Sequence, residues 1–204
     1  MITVARKPVE TYRTLLIDPP WRMCSGGSTT INPKFKYPLQ KQKDIVATVK
    51  GWLKEYPVAE EAHCYIWGIN SFSTGGSRGL LDTIDLCEQI GFKPVTFLVW
   101  TKPQGNPTPY GLRNTELCLF GAKWRKGQSD RVMYKAKKDS ESVVGRGLTS
   151  SVDFIHASRR EHSRKPLEFY DLIEQRSNGP YLELYSRSKR FNWTCVGNEV
   201  GKYV

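Results

Sequence analysis

Apolar positions fall into short runs that alternate with helical patterns. Leu15–Ile17 predicts a strand that stops at Asp18-Pro19-Pro20, where proline ends pairing. Residues 43–55 place Ile45, Val46, Val49, Trp52 and Leu53 at helical spacing. Cys64–Ile69 reads as a buried strand. Residues 77–90 form a helical pattern with Leu80, Leu81, Ile84, Cys87 and Ile90 on one face, stopping at Gly91. Val95–Trp100 and Thr115–Phe120 are further strands. Pro166 opens a third helix, because proline is tolerated at a first helical position. Asn178-Gly179-Pro180 ends it, and Tyr181–Tyr185 and Trp193–Val196 are the last two strands.

Strands alternating with helices predict an α/β fold with a mostly parallel sheet covered on both faces. The expected organisation is one domain over residues 1–204, with residues 121–150 as a basic flexible loop. That stretch loses periodicity and holds eight basic and three acidic side chains. Ligands of such sheets sit at the carboxyl ends of strands. Asp18, Lys102, Ser186-Arg187 and Asn198 are therefore expected on one rim.

Composition narrows the class. The chain has 204 residues, 39% hydrophobic and 25% charged, which fits a globular domain and excludes collagen-like, disulfide-framework and disordered chains. No apolar run approaches the roughly 18–20 residues of a membrane span. Met1 to Arg13 lacks an apolar signal region, so a cytoplasmic protein is expected. Five cysteines in no C-x-x-C pair read as free thiols, three of them inside apolar runs, and three histidines at unrelated spacings predict no metal site.

Charge points to a partner. The net charge is +11. Residues 1–100 carry 12 basic and 9 acidic side chains, residues 101–204 carry 19 and 11. A positive field concentrated in one half suits a polyanion, although a solubilising surface has the same composition.

The sharpest local feature is Asp18-Pro19-Pro20-Trp21 directly after a strand. Two prolines fix the backbone and remove two N–H donors. What remains is a rigid edge of acceptors, a carboxylate and a carbonyl, beside an indole. Such an edge suits a planar ligand with an amino group, whose two N–H bonds it accepts while Trp21 stacks on the ring. An amine on a nucleobase is a poor nucleophile because its lone pair is delocalised. Acceptors on both hydrogens favour a pyramidal nitrogen with an exposed lone pair.

Ile17-Asp18-Pro19-Pro20-Trp21 resembles the D-P-P-W motif of the MT-A70 family of adenine-N6 methyltransferases. The resemblance continues through Tyr37-Pro38, Ile66–Asn70, Gly91-Phe92 with Leu98–Lys102, and Arg113–Glu116 with Leu119–Gly121. It ends with Glu161-His162-Ser163-Arg164-Lys165-Pro166, which is similar to the family's H-S-x-K-P, with Tyr181–Arg187, and with Gly197-Asn198-Glu199. It covers most of the chain and suggests a compact prokaryotic or phage-type member. It implies a Rossmann-like methyltransferase fold in which the catalytic motif precedes the main cofactor segment, with S-adenosylmethionine as donor.

By the same resemblance, Asp18, Pro19, Pro20 and Trp21 form the catalytic site, with Asp18 and the Pro19 carbonyl holding the amine. Lys102 matches a position that meets the methionine carboxylate. Glu183, Arg187, Asn198 and Glu199 match cofactor positions, and Lys189 stands where a relative has His. Asp18 also approaches the donor. Longer relatives have an acidic loop before the catalytic strand that meets the donor's adenine; here only about a dozen residues precede it.

A base inside a duplex cannot reach such a pocket, so the target is unpaired or flipped. Lys123, Arg125, Lys126, Arg131 and Lys135 in the expected loop, and Arg159, Arg160, His162, Arg164 and Lys165 in a second cluster, are expected to meet phosphates. Glu116 reads as a satisfied rim carboxylate. Gly75–Gly79 reads as a helix entry and Gly145-Arg146-Gly147 as loop. The reading is a DNA adenine-N6 methyltransferase acting by direct SN2 transfer. RNA is the alternative substrate, and a catalytically silent nucleic-acid-binding scaffold the alternative class. A homodimer fits the family; no membrane or metal partner is expected.

Overall fold

The computed structural model describes residues 11–22, 39–71, 78–108, 111–124, 154–160 and 164–201. Seven strands and three helices occur among them. In chain order they are β1 (Tyr12–Ile17), α1 (Gln42–Glu55), β2 (Val58–Gly68), α2 (Leu80–Gln89), β3 (Lys93–Thr108), β4 (Gly111–Lys123), β5 (Phe154–His156), α3 (Leu167–Arg176), β6 (Tyr181–Leu184) and β7 (Trp193–Val196). The strands form one sheet in the order β5-β3-β4-β2-β1-β6-β7. β4 is antiparallel to both its neighbours, and every other pairing is parallel. The sheet is thus mixed and mostly parallel, in an α/β fold.

Strand alternation divides the core. Leu15 and Ile17 of β1, with Cys64 and Ile66 of β2, pack in one buried cluster against Ile45, Val46 and Val49 of α1 and Leu86 and Cys87 of α2. Leu16, Tyr65 and Trp67 point the other way, into a second cluster with Phe169, Leu172 and Ile173 of α3. Both faces of the central strands are apolar, as expected for strands covered on both sides.

Several elements differ from the pattern reading. β3 and β4 extend as a hairpin past Trp100, pairing Asn106 with Arg113 and Thr108 with Gly111. An irregularity between Thr101 and Asn106 accommodates Pro103, which cannot donate to a regular ladder. α2 turns a different face inward: Leu81 is exposed, while Asp82, Thr83, Leu86 and Cys87 are buried. Asp82 is held there by the Arg78 backbone N–H at 2.8 Å and the Arg78 side chain at 3.0 Å. Thr83 packs so closely on β2 that a Cβ at Gly68 would lie 2.6 Å from its Oγ1. The expected loop over 121–150 begins inside β4, where Gly121–Lys123 pair with β2. Its residues 125–150 lie outside the described residues.

Candidate active site

β1 lies between β2 and β6, parallel to both, so its carboxyl end is central. The Asp18 N–H reaches the Leu184 carbonyl at 3.4 Å, and pairing stops there because Pro19 and Pro20 have no N–H. The chain then turns tightly. The Trp21 N–H donates to the Pro19 carbonyl at 2.8 Å, and the Gln40 N–H donates to the Pro20 carbonyl at 2.8 Å. Each carbonyl keeps a second lone pair.

Asp18 sits between two cations. Lys165 Nζ lies 3.1 Å from one carboxylate oxygen and Arg187 Nη2 3.1 Å from the other. Lys165 also reaches Glu116 at 3.3 Å, and Glu116 in turn pairs with Lys102. A row of alternating charge results: Arg187, Asp18, Lys165, Glu116, Lys102. Arg187 and Asp18 follow the ends of β6 and β1, Lys102 and Glu116 lie within β3 and β4, and Lys165 stands on the approach to α3. Because β4 is antiparallel it brings its beginning to this rim, which is why Glu116 faces Trp100. Indoles floor the row: Lys165 lies 4.9 Å from the Trp67 ring and Lys102 4.5 Å from the Trp100 ring. Such contacts favour a retained positive charge.

Titration follows this geometry. Burial opposes ionisation of Glu116, but Lys165 and Lys102 overcome it and hold the carboxyl down to about 2. Burial likewise opposes charge on Lys165, and Asp18 and Glu116 prevail, so its ammonium is kept well above the ordinary lysine range.

Of the catalytic candidates, Asp18 and Pro19 occupy the rim as expected, with Pro20 half-buried beside them. Trp21 differs. Its indole is buried in the α1–α2 cluster and its N–H donates to the Trp67 carbonyl at 2.7 Å. It braces the turn instead of offering an open stacking face. Lys102 is buried and paired with Glu116, three ion pairs along the row from Asp18. Glu183 is buried beneath α3, where it accepts the Tyr170 hydroxyl at 2.8 Å. Burial pushes this carboxyl up to about 7, partly offset by the Tyr170 bond. Glu183 therefore supports the strand end from below.

Arg187, Asn198 and Glu199 follow β6 and β7, whose ends meet closely: the Ser186 N–H donates to the Val196 carbonyl at 3.0 Å. A Cβ at Gly197 would fall 2.7 Å from the Ser186 carbonyl oxygen, so only glycine fits this approach. Asn198 is exposed and Glu199 half-buried.

The expected phosphate contacts separate. Lys123 pairs with Ala62 at the start of β2, at the edge opposite Asp18, because β4 runs antiparallel. Lys165 is committed to the carboxylates, not to an exposed surface. Arg159 and Arg160 follow β5, and Arg164 precedes Lys165. Arg160, Arg164 and Lys165 line one cavity of about 410 Å³ between α3 and the β6–β7 turn, and Lys189, expected at the cofactor, lines the same cavity. Arg125, Lys126, Arg131, Lys135 and His162 lie outside the described residues. Among the described residues no group of His, Cys, Asp and Glu is placed to hold a metal, and no helix is long and apolar enough to cross a membrane.

The row's centre, Lys165, stands in the block similar to H-S-x-K-P and in the Lys-Pro step before a helix. That step fixes where the helix begins but not where the ammonium turns. The family model for MT-A70 matches residues 12–199. No curated protein matches the chain.

Proposed function

The chain belongs to the MT-A70 family of methyltransferases, and from that premise we propose that it methylates N6 of adenine in DNA with S-adenosylmethionine as donor. The observation that carries the reading is the placement of Asp18, a rigidly mounted carboxylate at the central strand end, between Lys165 and Arg187.

The donor fits the charges present. It is a zwitterion with a carboxylate and a cationic sulfur, and the rim alternates cations with carboxylates. Lys165, Lys102 and Arg187 supply partners for its carboxylate and hydroxyls, and Asp18 for its cationic centre. The close meeting of β6 and β7 at Gly197 presents Asn198 and Glu199 beside Arg187. When bound, the donor supplies an electrophilic methyl group.

The chain's own residues prepare the nucleophile. Asp18 and the free lone pair of the Pro19 carbonyl accept the two N–H bonds of the adenine amine, localising its lone pair. The nitrogen becomes cationic as it gains a substituent, and Asp18 is its nearest counter-charge. The surplus proton leaves to solvent. Lys165 and Arg187 keep Asp18 ionised and fix its plane. RNA is the alternative substrate for the same chemistry.

Mass spectrometry of nucleosides from DNA and RNA incubated with the protein and donor tests this. N6-methyldeoxyadenosine is the expected product. N6-methyladenosine from RNA alone would transfer the same chemistry to the other substrate.

A further inference from the structure

Burial of Trp21 leaves the active site without its expected stacking partner. The strongest candidate for that work is Phe191, an aromatic side chain 83% exposed at the β6–β7 turn. Its exposure is built in. Trp193 donates its backbone N–H to the Arg190 carbonyl at 3.3 Å, closing a turn with Phe191 and Asn192 at its corners. Asn192 adopts φ +63°, a left-handed conformation that asparagine tolerates.

Both flanks of the turn are pinned. Arg190 lies 3.5 Å from the Tyr170 ring centre. Trp193 is buried, donates its indole N–H to Glu174 at 2.7 Å and stacks on Tyr181 at 4.7 Å. Phe191 therefore stands out from a fixed base.

The cavity beside it is basic. Arg160 and Arg164 line one side, Lys189 and Arg190 the other. Asp171 and Glu174 face it from α3, and Glu174 is engaged by Trp193. At the inner end Lys165 touches Asp18. The cleft thus joins Lys165, the partner of the proposed catalytic carboxylate, through four basic residues to an exposed aromatic ring. Nucleic-acid strands are held in this way, by cations on the backbone and rings on the bases.

We propose that this cleft carries the nucleic-acid strand bearing the target adenine, with Phe191 stacking on a neighbouring base. The assignment rests on the reading of the protein as a nucleic-acid methyltransferase. It adds a base-binding residue and a direction of approach. A stacked ring contributes little to salt dependence, whereas each phosphate contact on a single strand contributes about 0.7 to the slope of log K against log salt.

The test is fluorescence anisotropy with a labelled single-stranded adenine-containing oligonucleotide over a salt series. It compares the wild type with Phe191→Ala, Phe191→Trp and Lys189→Ala. Phe191→Ala should bind about tenfold more weakly with an unchanged salt slope. Phe191→Trp should restore affinity, and Lys189→Ala should flatten the slope. Donor affinity by calorimetry should be the same in wild type and Phe191→Ala.

Wild-type oligonucleotide affinity in Phe191→Ala overturns the assignment. So does loss of donor binding in that variant, which would make the cleft a donor site, or a change of its mass in light scattering, which would make Phe191 an interface between copies. If the wild type methylates nucleic acid and only the Phe191 effects are missing, the cleft assignment alone fails. If the wild type binds no oligonucleotide, the functional reading fails with it.

Discussion

Lys165 and Arg187 grip opposite oxygens of Asp18, each at 3.1 Å. One comes from the approach to α3, the other from the end of β6, so two layers of the fold converge on a carboxylate at the end of β1. Lys165 is shared with Glu116, and that sharing makes it the hinge of the charge row.

Replacing Lys165 tests the row through Glu116. The folded carboxyl titrates near 2, below its ordinary 4.5, so its stabilising effect is complete above about 4.5 and is lost as pH falls towards 2. Lys165→Met should raise the Glu116 midpoint by about one unit or more, read by carbon NMR. Acid unfolding should begin at correspondingly higher pH. An unmoved Glu116 titration would show that Lys102 alone sets it.

Glu183 has the opposite sign. Burial raises it to about 7 from 4.5, so the folded state binds a proton that the unfolded state has lost. Stability therefore declines as pH rises through 4.5 to 7, and the full cost is present above that range. Glu183→Gln keeps an acceptor for Tyr170 and removes the charge. Its unfolding free energy should exceed the wild type's by about 3 kcal/mol at pH 8 and by less than about 1 kcal/mol at pH 5. Equal differences at the two pH values would contradict the assignment.

Trp21 is predicted to matter for stability. Trp21→Phe keeps an aromatic ring but leaves the Trp67 carbonyl without its 2.7 Å donor. Urea denaturation should show a loss of about 1–3 kcal/mol. An open stacking residue would show no such loss.

Gly197→Ala forces a methyl group to within 2.7 Å of the Ser186 carbonyl oxygen. The neighbour is backbone in a paired strand end, so relief requires β6 and β7 to part. Overpacking of this kind costs about 1–3 kcal/mol. We expect lower thermal stability together with weaker donor binding in calorimetry, because Arg187 and Asn198 flank the same contact. Undiminished donor affinity would detach this strand junction from the donor site.

Much of this was legible from the chain. β1 announces itself by an apolar run cut off by two prolines, and β7 occupies the expected Trp193–Val196. β5 escaped because three residues, Phe154–His156, carry no periodicity. The far half of β3 escaped because Pro103 and Gly105 read as breakers, whereas a local irregularity in the hairpin absorbs them. At the site, Asp18 was legible from its neighbours in sequence, and Glu116 does have the ion-pair partners expected of a rim carboxylate. Lys165 was not, because its adjacency to Arg164 suggests a shared surface role. Only the packing of α3 shows that its ammonium turns inward over Trp67. Lys123 was misplaced for a topological reason: one antiparallel strand carries its end to the opposite edge.

The central claim is that Asp18 directs methyl transfer to an adenine amine. Its most direct test is incubation of pure protein with labelled S-adenosylmethionine and matched duplex DNA, single-stranded DNA and RNA, with Asp18→Ala in parallel. The account predicts label in N6-methyladenine of a DNA pool and a loss of about a hundredfold or more in the variant. Equal labelling by wild type and Asp18→Ala, or label on any other atom of the nucleic acid, would contradict it.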